Sequence, residues 1–447
     1  MENNQFKIMT ETPVGKLILK LCMPTILSML VTNFYNLVDT AFVGMEGNSA
    51  SGAVGIVFGF MAVLQAIGFL FGQGSGSIIS RALGGKKIDK AGEVASTAFF
   101  TAFFLAVAAG IFSLIFIDDI VFFLGSTETI APYAKKYISF IILTAPFLVT
   151  SFTLNNILRY EGKAALGMIG LITGAVLNIA GDAIFMRKFK MGITGAGLST
   201  AISQFISFCI LFSMFARGKT QCVISLKKVC FDFKIYSDII LTGLPSLLRQ
   251  GAYSFAAIIM NVRAACFGDA GVAAMSIVSR IFFFIFSLSI GVGQGFQPVA
   301  GFNYGAKKFS RVRKGSEFTF AFSSALMVIA GILVALNSNE IIRLFRDDAL
   351  VIEIARRSLI LHCVAVIFLP FCMVCEMVMQ STGFKLGASV ISLMRSGLIL
   401  IPCIILLTKF RGLKGLQEAQ PLSFVLAVIP SVFFGRLYFK KLPKNDG

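Results

Sequence analysis

Tryptophan is absent from the chain and histidine occurs once. A zinc site of the His-Glu-x-x-His kind needs two histidines, so that chemistry is excluded. Charged residues are only 14% of the chain, against about 25% in a soluble domain. Apolar residues reach 56%, and the mean hydropathy is +0.85. These values exclude a water-soluble globule, a disordered chain and a coiled coil. Gly85-Lys86 lacks the upstream glycine and the following Ser or Thr of a phosphate-binding loop, so ATP hydrolysis is not expected. Nine cysteines are present, but Cys372 and Cys375 have no second pair at zinc spacing. Inside an apolar run, they read as small buried hydrophobes. No catalytic cluster emerges, and the expectation is a protein that is not an enzyme and has no cofactor.

What is present is a set of long apolar runs. A helix crossing a bilayer needs about 20 apolar residues. The chain offers twelve such runs: 15–42, 51–73, 95–117, 134–158, 166–186, 193–216, 236–262, 271–298, 316–338, 356–381, 387–408 and 418–439. They are too long and too uniformly apolar for barrel strands, so the expected class is an all-α integral membrane protein. The net charge of +18 lies in short clusters between the runs, which indicates cytoplasmic loops rather than a nucleic-acid surface. With the N-terminus inside, 24 Lys and Arg fall on the inner side and 13 on the outer. Both termini are therefore expected in the cytoplasm.

An internal repeat organises the chain. A shift of 221 residues lays Pro24 on Pro245, Gly72-Gln73-Gly74 on Gly293-Gln294-Gly295, and Gly162 on Gly383. Lys135-Lys136 fall on Arg356-Arg357. The reading is two six-helix bundles related by a pseudo-twofold along the membrane normal, because an even helix count gives both halves the same sense. The expected division is an N-lobe at 1–220, a cytoplasmic linker at 221–235 and a C-lobe at 236–447. Two similar bundles can rock about a central site, which is the geometry of alternating access.

Ionisable groups within spans are costly and mark function by default. Asp39 lies in the first predicted helix. Asp182 lies in the fifth, with Asn178 one turn before it on the same face. Thr200 and Gln204 repeat that spacing in the sixth. Under the repeat, Asp39 falls on Met260 and Asp182 on Cys403, so the acids are confined to one half. Asp39, Asn178, Asp182 and Thr200 together offer carboxylate, amide and hydroxyl oxygens that suit Na⁺, and the carboxylates can also carry protons. The alternative is that the acids sit at the outer interface and touch water, since Asp39 is close to Gly44. Asn33 and Asn36 share the Asp39 helix and could re-pair around it. Glu376 is open to two readings: a partner for Arg249 or Arg280, or a contact to cationic substrate. His362 reads as an interfacial or satisfied histidine. The pairs Gly55/Gly59, Gly68/Gly72 and Gly291/Gly295 read as close-packing sites.

Several motifs carry a family resemblance. They are Pro24 with Asp39-Thr40, Gly72-Gln73-Gly74 before Gly84-Gly85-Lys86, and Leu158-Arg159-Tyr160-Glu161-Gly162. Asn178 with Asp182, and the run Gln297-Pro298-Val299-Ala300-Gly301-Phe302-Asn303-Tyr304-Gly305-Ala306, complete them. Over its whole length the chain resembles a multidrug and toxic compound extrusion (MATE) transporter, in particular the bacterial MepA-like branch. The resemblance implies a twelve-helix, two-lobed monomer in the plasma (inner) membrane that exports cationic, lipophilic compounds in exchange for Na⁺ or H⁺. It implies N-lobe site residues at Tyr35, Asp39, Asn155, Asn178, Asp182, Ala196 and Thr200. In one branch a glutamate of the seventh helix takes part, and that place is Tyr253 here. The matching acid of the tenth helix falls near Phe371, with Glu376 about a turn later. Substrate contacts are accordingly expected from Asn33, Asn36, Gln204, Tyr253 and Glu376, on an aromatic and Met-rich surface. Two rivals stand beside this reading. A lipid-linked precursor flippase of the same superfamily would line its cavity with several basic residues, and only Arg249, Arg280 and Arg395 fall in spans. A major-facilitator-type antiporter would carry a different loop after its second helix, where this chain has Arg81-Ala82-Leu83-Gly84-Gly85-Lys86-Lys87.

Overall fold

A computed structural model describes residues 2–446, with the side chains of all but Glu2, Asn3, Asn48 and Ser51. Met1 and Gly447, the outer bounds of the two expected lobes, lie outside the described residues. Every regular element among them is helical. That follows from the solvent: in hydrocarbon a backbone amide has no water to bond, and a helix satisfies its amides within one segment.

The helices are α1 Glu2–Glu11, α2 Val14–Gly44, α3 Asn48–Gly84, α4 Ile88–Ile115, α5 Ile117–Phe123, α6 Ala131–Tyr160, α7 Ala164–Asp182 and α8 Gly192–Ala216. There follow α9 Phe233–Ala265, α10 Gly268–Gly305, α11 Phe309–Leu336, α12 Ser338–Arg343, α13 Ala349–Ala365, α14 Leu369–Thr382, α15 Lys385–Leu393 and α16 Leu400–Lys441. Ten segments are long and apolar enough to cross a membrane. One of them, Lys385–Lys441, has 57 residues, roughly 85 Å of helix at 1.5 Å per residue. It covers two of the expected runs and is broken at Gly412, whose φ of 59° and ψ of −135° are open to glycine and not to other residues. The expected run 236–262 lies in α9, which carries Lys234, Asp238, Arg249 and Arg263 and is not among the ten.

The chain forms two compact units. The first comprises the residues up to Phe6 and Leu27–Gly243, and the second Lys7–Ile26 and Leu244 onward. These contact units run differently from the chain halves: they divide after Phe6, after Ile26 and after Gly243, the last two close to a proline. Pro24 lies inside α2 and Pro245 inside α9, and the repeat superposes these two residues. A proline within a helix leaves one carbonyl unbonded and bends the axis there.

Close helix packing explains several glycines. Along α3, Gly68, Gly72 and Gly76 face Phe152, Asn156 and Tyr160 of α6. A Cβ at Gly68 would stand 2.7 Å from the Phe152 Cβ, and one at Gly72 2.8 Å from the Asn156 Cβ. One at Gly76 would enter the Tyr160 ring. In the second unit, Gly291 and Gly295 of α10 meet Ile26 and Cys22 of α2 in the same way. Gly55 and Gly59 face open space, so the packing role expected of that pair is absent.

The segment 221–235 is held against the first unit. The Glu161 carboxylate, fully buried beyond the end of α6, accepts the backbone N–H groups of Gln221 and Cys222, both at 2.9 Å, and lies 3.5 Å from the Lys163 ammonium. Burial pushes this carboxyl above the ordinary glutamate value, against the pull of Lys163 and the two amides. Ser96 and Thr97 of α4 bond the backbone of Val223, Ser225 and Cys230.

Two outcomes are expected from this packing. Gly76→Ala should lower stability by about 1–3 kcal/mol through overpacking against Tyr160, while Gly59→Ala should be neutral within about 0.5 kcal/mol, as read by thermal unfolding in detergent. Glu161→Ala should speed tryptic cleavage at Lys219, Lys227 and Lys228 in limited proteolysis. Cleavage at the wild-type rate would mean that the carboxylate does not hold the segment.

Candidate cation site

The first unit brings α2, α6, α7 and α8 together around a cluster of oxygen atoms. Asp39 stands five residues before the end of α2, and Asp182 is the last residue of α7. A π-helical turn, Ala183–Lys188, follows directly. Asp182 is fully buried, and its carboxyl group faces that of Asp39. Gly181 permits the geometry: a Cβ there would strike the Ser199 hydroxyl, so its absence lets α8 approach α7. Ser199 then donates to the Asn178 carbonyl at 2.8 Å, and the Asn178 amide donates to the Thr200 hydroxyl at 3.2 Å.

Four oxygens of this cluster are buried without a hydrogen-bond partner: Oδ1 of Asp39, both carboxylate oxygens of Asp182, and Oδ1 of Asn178. Buried polar atoms are nearly always paired, and a buried carboxylate without a partner is expensive. Facing carboxylates make it more so, since two negative charges in a low dielectric repel. A cation bound among the oxygens, or a proton shared between the carboxyls, removes the cost. The donors are hard oxygens without sulfur or imidazole, and they fit Na⁺ or H⁺ rather than a transition metal.

Two residues join the cluster that the sequence reading did not single out. The buried Tyr137 of α6 pairs with Thr200 and lies within electrostatic reach of Asp39, Asp182 and Tyr35. Ser199 lies beside Asp182 as well as Asn178. A signal existed in the spacing, because Tyr137, Thr144 and Ser151 recur every seven residues and so share one face of their helix.

The remaining expected residues are placed as follows. Tyr35 lies beside Asp39, and Ala196 is buried one turn before Thr200. The Asn155 amide packs on Gly167 of α7. A small cavity of about 20 Å³, on the scale of a single water, adjoins the cluster, sharing Tyr35 and Asn178 as walls and lined also by Thr32, Ser151, Gly174 and Gln204. Its lining includes the aromatic rings of Tyr35 and Phe152. Asn33 is half-buried with an unpartnered Nδ2, and Asn36 is half-buried on the same helix. Tyr253 belongs to the second unit and pairs with Gln420. Glu376 is also in that unit, fully buried, with one oxygen 2.7 Å from Arg249 Nη1 and the other 2.8 Å from Arg395 Nη2. The geometry is the ion pair with Arg249, joined by Arg395 rather than Arg280. His362 is buried, with Nδ1 2.8 Å from the Ser358 carbonyl.

Long apolar helices around a buried cluster of acids define the class: a multi-pass helical membrane transporter. The sequence model of the MatE family matches twice, over residues 24–184 and 245–406, starting at the two prolines that the repeat superposes. The chain belongs to the MatE family of multidrug and toxic compound extrusion transporters. The multidrug export protein MepA of Staphylococcus aureus (strain N315) is 25% identical over 423 residues, 93% of this chain and 92% of that one. Among solved structures, a MATE protein in complex with MaL6 superposes with a TM-score of 0.93 at 24% identity, covering 98% of this chain and 99% of that one. A multidrug resistance MATE transporter of the MOP superfamily, in an outward-facing conformation, superposes with a TM-score of 0.92 at 24% identity, over 98% of both chains.

Removing the carboxylate of Glu376 leaves two buried guanidinium groups without their shared partner. Glu376→Gln should therefore cost about 3–5 kcal/mol, read as a drop in unfolding temperature in detergent. Wild-type stability in this variant would show that the ion pair is not structural.

Proposed function

We propose that the protein is a secondary active multidrug efflux transporter that exports cationic, lipophilic compounds in exchange for Na⁺ or H⁺ by alternating access. The observation that carries this reading is the set of orphaned oxygens on Asp39, Asp182 and Asn178 within the membrane span. Such a cluster has two states, cation-free and cation-bound, that differ strongly in energy. A ligand drives a conformational equilibrium only through differential affinity for the two states, and a buried carboxylate pair supplies it. The MepA relative supports drugs as cargo, and a cavity that shares Tyr35 and Asn178 with the cluster supports competition between drug and cation. Asp39, Asn178, Asp182 and Thr200 hold the cation in this scheme. Tyr35, Tyr137 and Ser199 position them, and Asn33, Asn36 and Gln204 face the drug. The setting is the plasma (inner) membrane, with both termini cytoplasmic and the chain acting as a monomer.

The test is ethidium efflux from proteoliposomes with Na⁺ and H⁺ gradients imposed separately. Wild-type efflux should follow one of them and need no ATP. Asp39→Asn and Asp182→Asn should each lower coupled efflux by about 100-fold, in keeping with about 2.7 kcal/mol lost at a buried charged site, while the protein remains folded. Wild-type rates in both variants would remove the site from the mechanism, and efflux under neither gradient would remove antiport.

A further inference from the structure

The second unit holds a buried charge cluster of the opposite sign. Glu376 of α14 gives one oxygen to Arg249 of α9 and the other to Arg395, which lies in the π-helical turn Met394–Leu398. These three are the buried Arg, Lys, Asp and Glu residues among the described residues of the unit. Two guanidinium groups and one carboxylate leave one positive charge uncompensated. Arginine cannot escape by losing its proton, so the excess stays.

Neither guanidinium is fully used. Arg395 is 4% exposed, and its Nε is buried without a partner. Its guanidinium carbon lies 5.6 Å from the Phe286 ring centre, which attracts the charge without cancelling it. Arg249 bonds Glu376 through Nη1 alone, and 11% of its side chain remains exposed. The two helices are tied together where the arginines leave them, because Ser392 donates to the Pro245 carbonyl at 2.6 Å. The thiol of Cys372 is within electrostatic reach of Glu376 and Arg395, but a neutral thiol balances no charge.

The scaffold does not impose this charge. The 221-residue offset places Arg249 on Ser28, Glu376 on Asn155 and Arg395 on Gly174. Gly174 has no side chain, and a Cβ there would press on Ser207, so the first unit has no counterpart of this guanidinium. The same offset replaces Asp39 and Asp182 with Met260 and Cys403. Acid is lost and base is gained at positions the duplication supplied as equivalents.

We propose that Arg249 and Arg395, held in place by Glu376, form a binding site for a single carboxylate-like anion. The planar fork of an arginine matches a carboxylate with two parallel N–H donors, and the excess charge of the cluster becomes zero when the anion binds. The anion is either an acidic group on a transported compound or a free ion from solution. Its use on cargo rests on the efflux reading above and extends that cargo from monocations to zwitterions.

Two dyes isolate the carboxylate. Rhodamine 110 carries it as a free acid, and rhodamine 123 is the methyl ester of the same ring system. Binding of each to purified protein is read by fluorescence anisotropy, in the wild type, Arg249→Gln and Arg249→Lys. In a second arm, unfolding temperature is measured in acetate and in chloride at equal ionic strength. If the anion comes with the cargo, Arg249→Gln weakens rhodamine 110 about tenfold or more and leaves rhodamine 123 within about twofold. Arg249→Lys, which keeps the charge and loses the fork, lies between. If the anion is free, both dyes bind as before, and acetate raises the unfolding temperature of the wild type but not of Arg249→Gln. Equal weakening of both dyes in the two variants overturns the site, as does no change in either dye with no acetate dependence. Both arms read binding without transport, so wild-type protein that passes them and exports no dye counts against the efflux reading and not against this site.

Discussion

Hydrocarbon offers no hydrogen bond, and the structure follows from that constraint. The backbone is helical because a helix satisfies its own amides. Gly68, Gly72 and Gly76 of α3 and Gly291 and Gly295 of α10 lie where helices touch closely, because lipid supplies no hydrophobic drive between helices and tight contact must take its place. Polar side chains that survive in the interior mostly find partners. Some bond back to their own helix, as Thr150 does to the Pro146 carbonyl and Ser381 to the Met377 carbonyl. Others bond across helices, as Gln297 does to Gln380, and two clusters gather charge at Asp39 with Asp182 and at Glu376.

The two clusters solve the same problem differently. At Glu376 the charges are of opposite sign and largely satisfy one another through two short bonds. At Asp39 and Asp182 they are of the same sign, with three of the four carboxylate oxygens unpartnered. The first arrangement is a set of fixed charges. The second is stable only with something added, and its energy therefore depends on whether the added ion is there. In the proposed antiport scheme, this is the cluster whose occupancy drives the transport cycle.

Much of this was legible in the sequence because charge is so rare in it. Asp39 and Asp182 stood out as acids in apolar runs, and the spacing of Asn178 to Asp182 and Thr200 to Gln204 set their faces. The 221-residue repeat was readable from Pro24 and Pro245, and the family match starts at both. Tyr137 was marked only by its seven-residue spacing to Thr144 and Ser151, and Ser199 was not legible, because its residue type is unremarkable in a membrane helix and the role of both comes from α6 and α8 closing on α7. That closing depends on Gly181, which sequence alone marks only as small. The choice of Arg395 over Arg280 as the second partner of Glu376 was also hidden, since it depends on a π-helical turn that shifts the side chain around its axis. The segment 236–262 read as an ordinary span, yet its helix carries four charges along its length.

The division of α2 between the units bears on how the chain is made. Lys7–Ile26 belongs with residues from Leu244 onward, and its contacts there are specific. The Asn303 amide donates to the Met9 carbonyl at 3.0 Å, Arg311 donates to the Thr12 carbonyl at 2.6 Å, and Cys22 rests on Gly295. These partners leave the ribosome hundreds of residues after the segment they bind. Leu27–Gly243 can assemble as soon as α9 begins, while the stretch before it waits for the second unit. The earliest-synthesised residues of the second unit are thus the last to find their neighbours, and a ribosome that stalls within α10 leaves them without a partner.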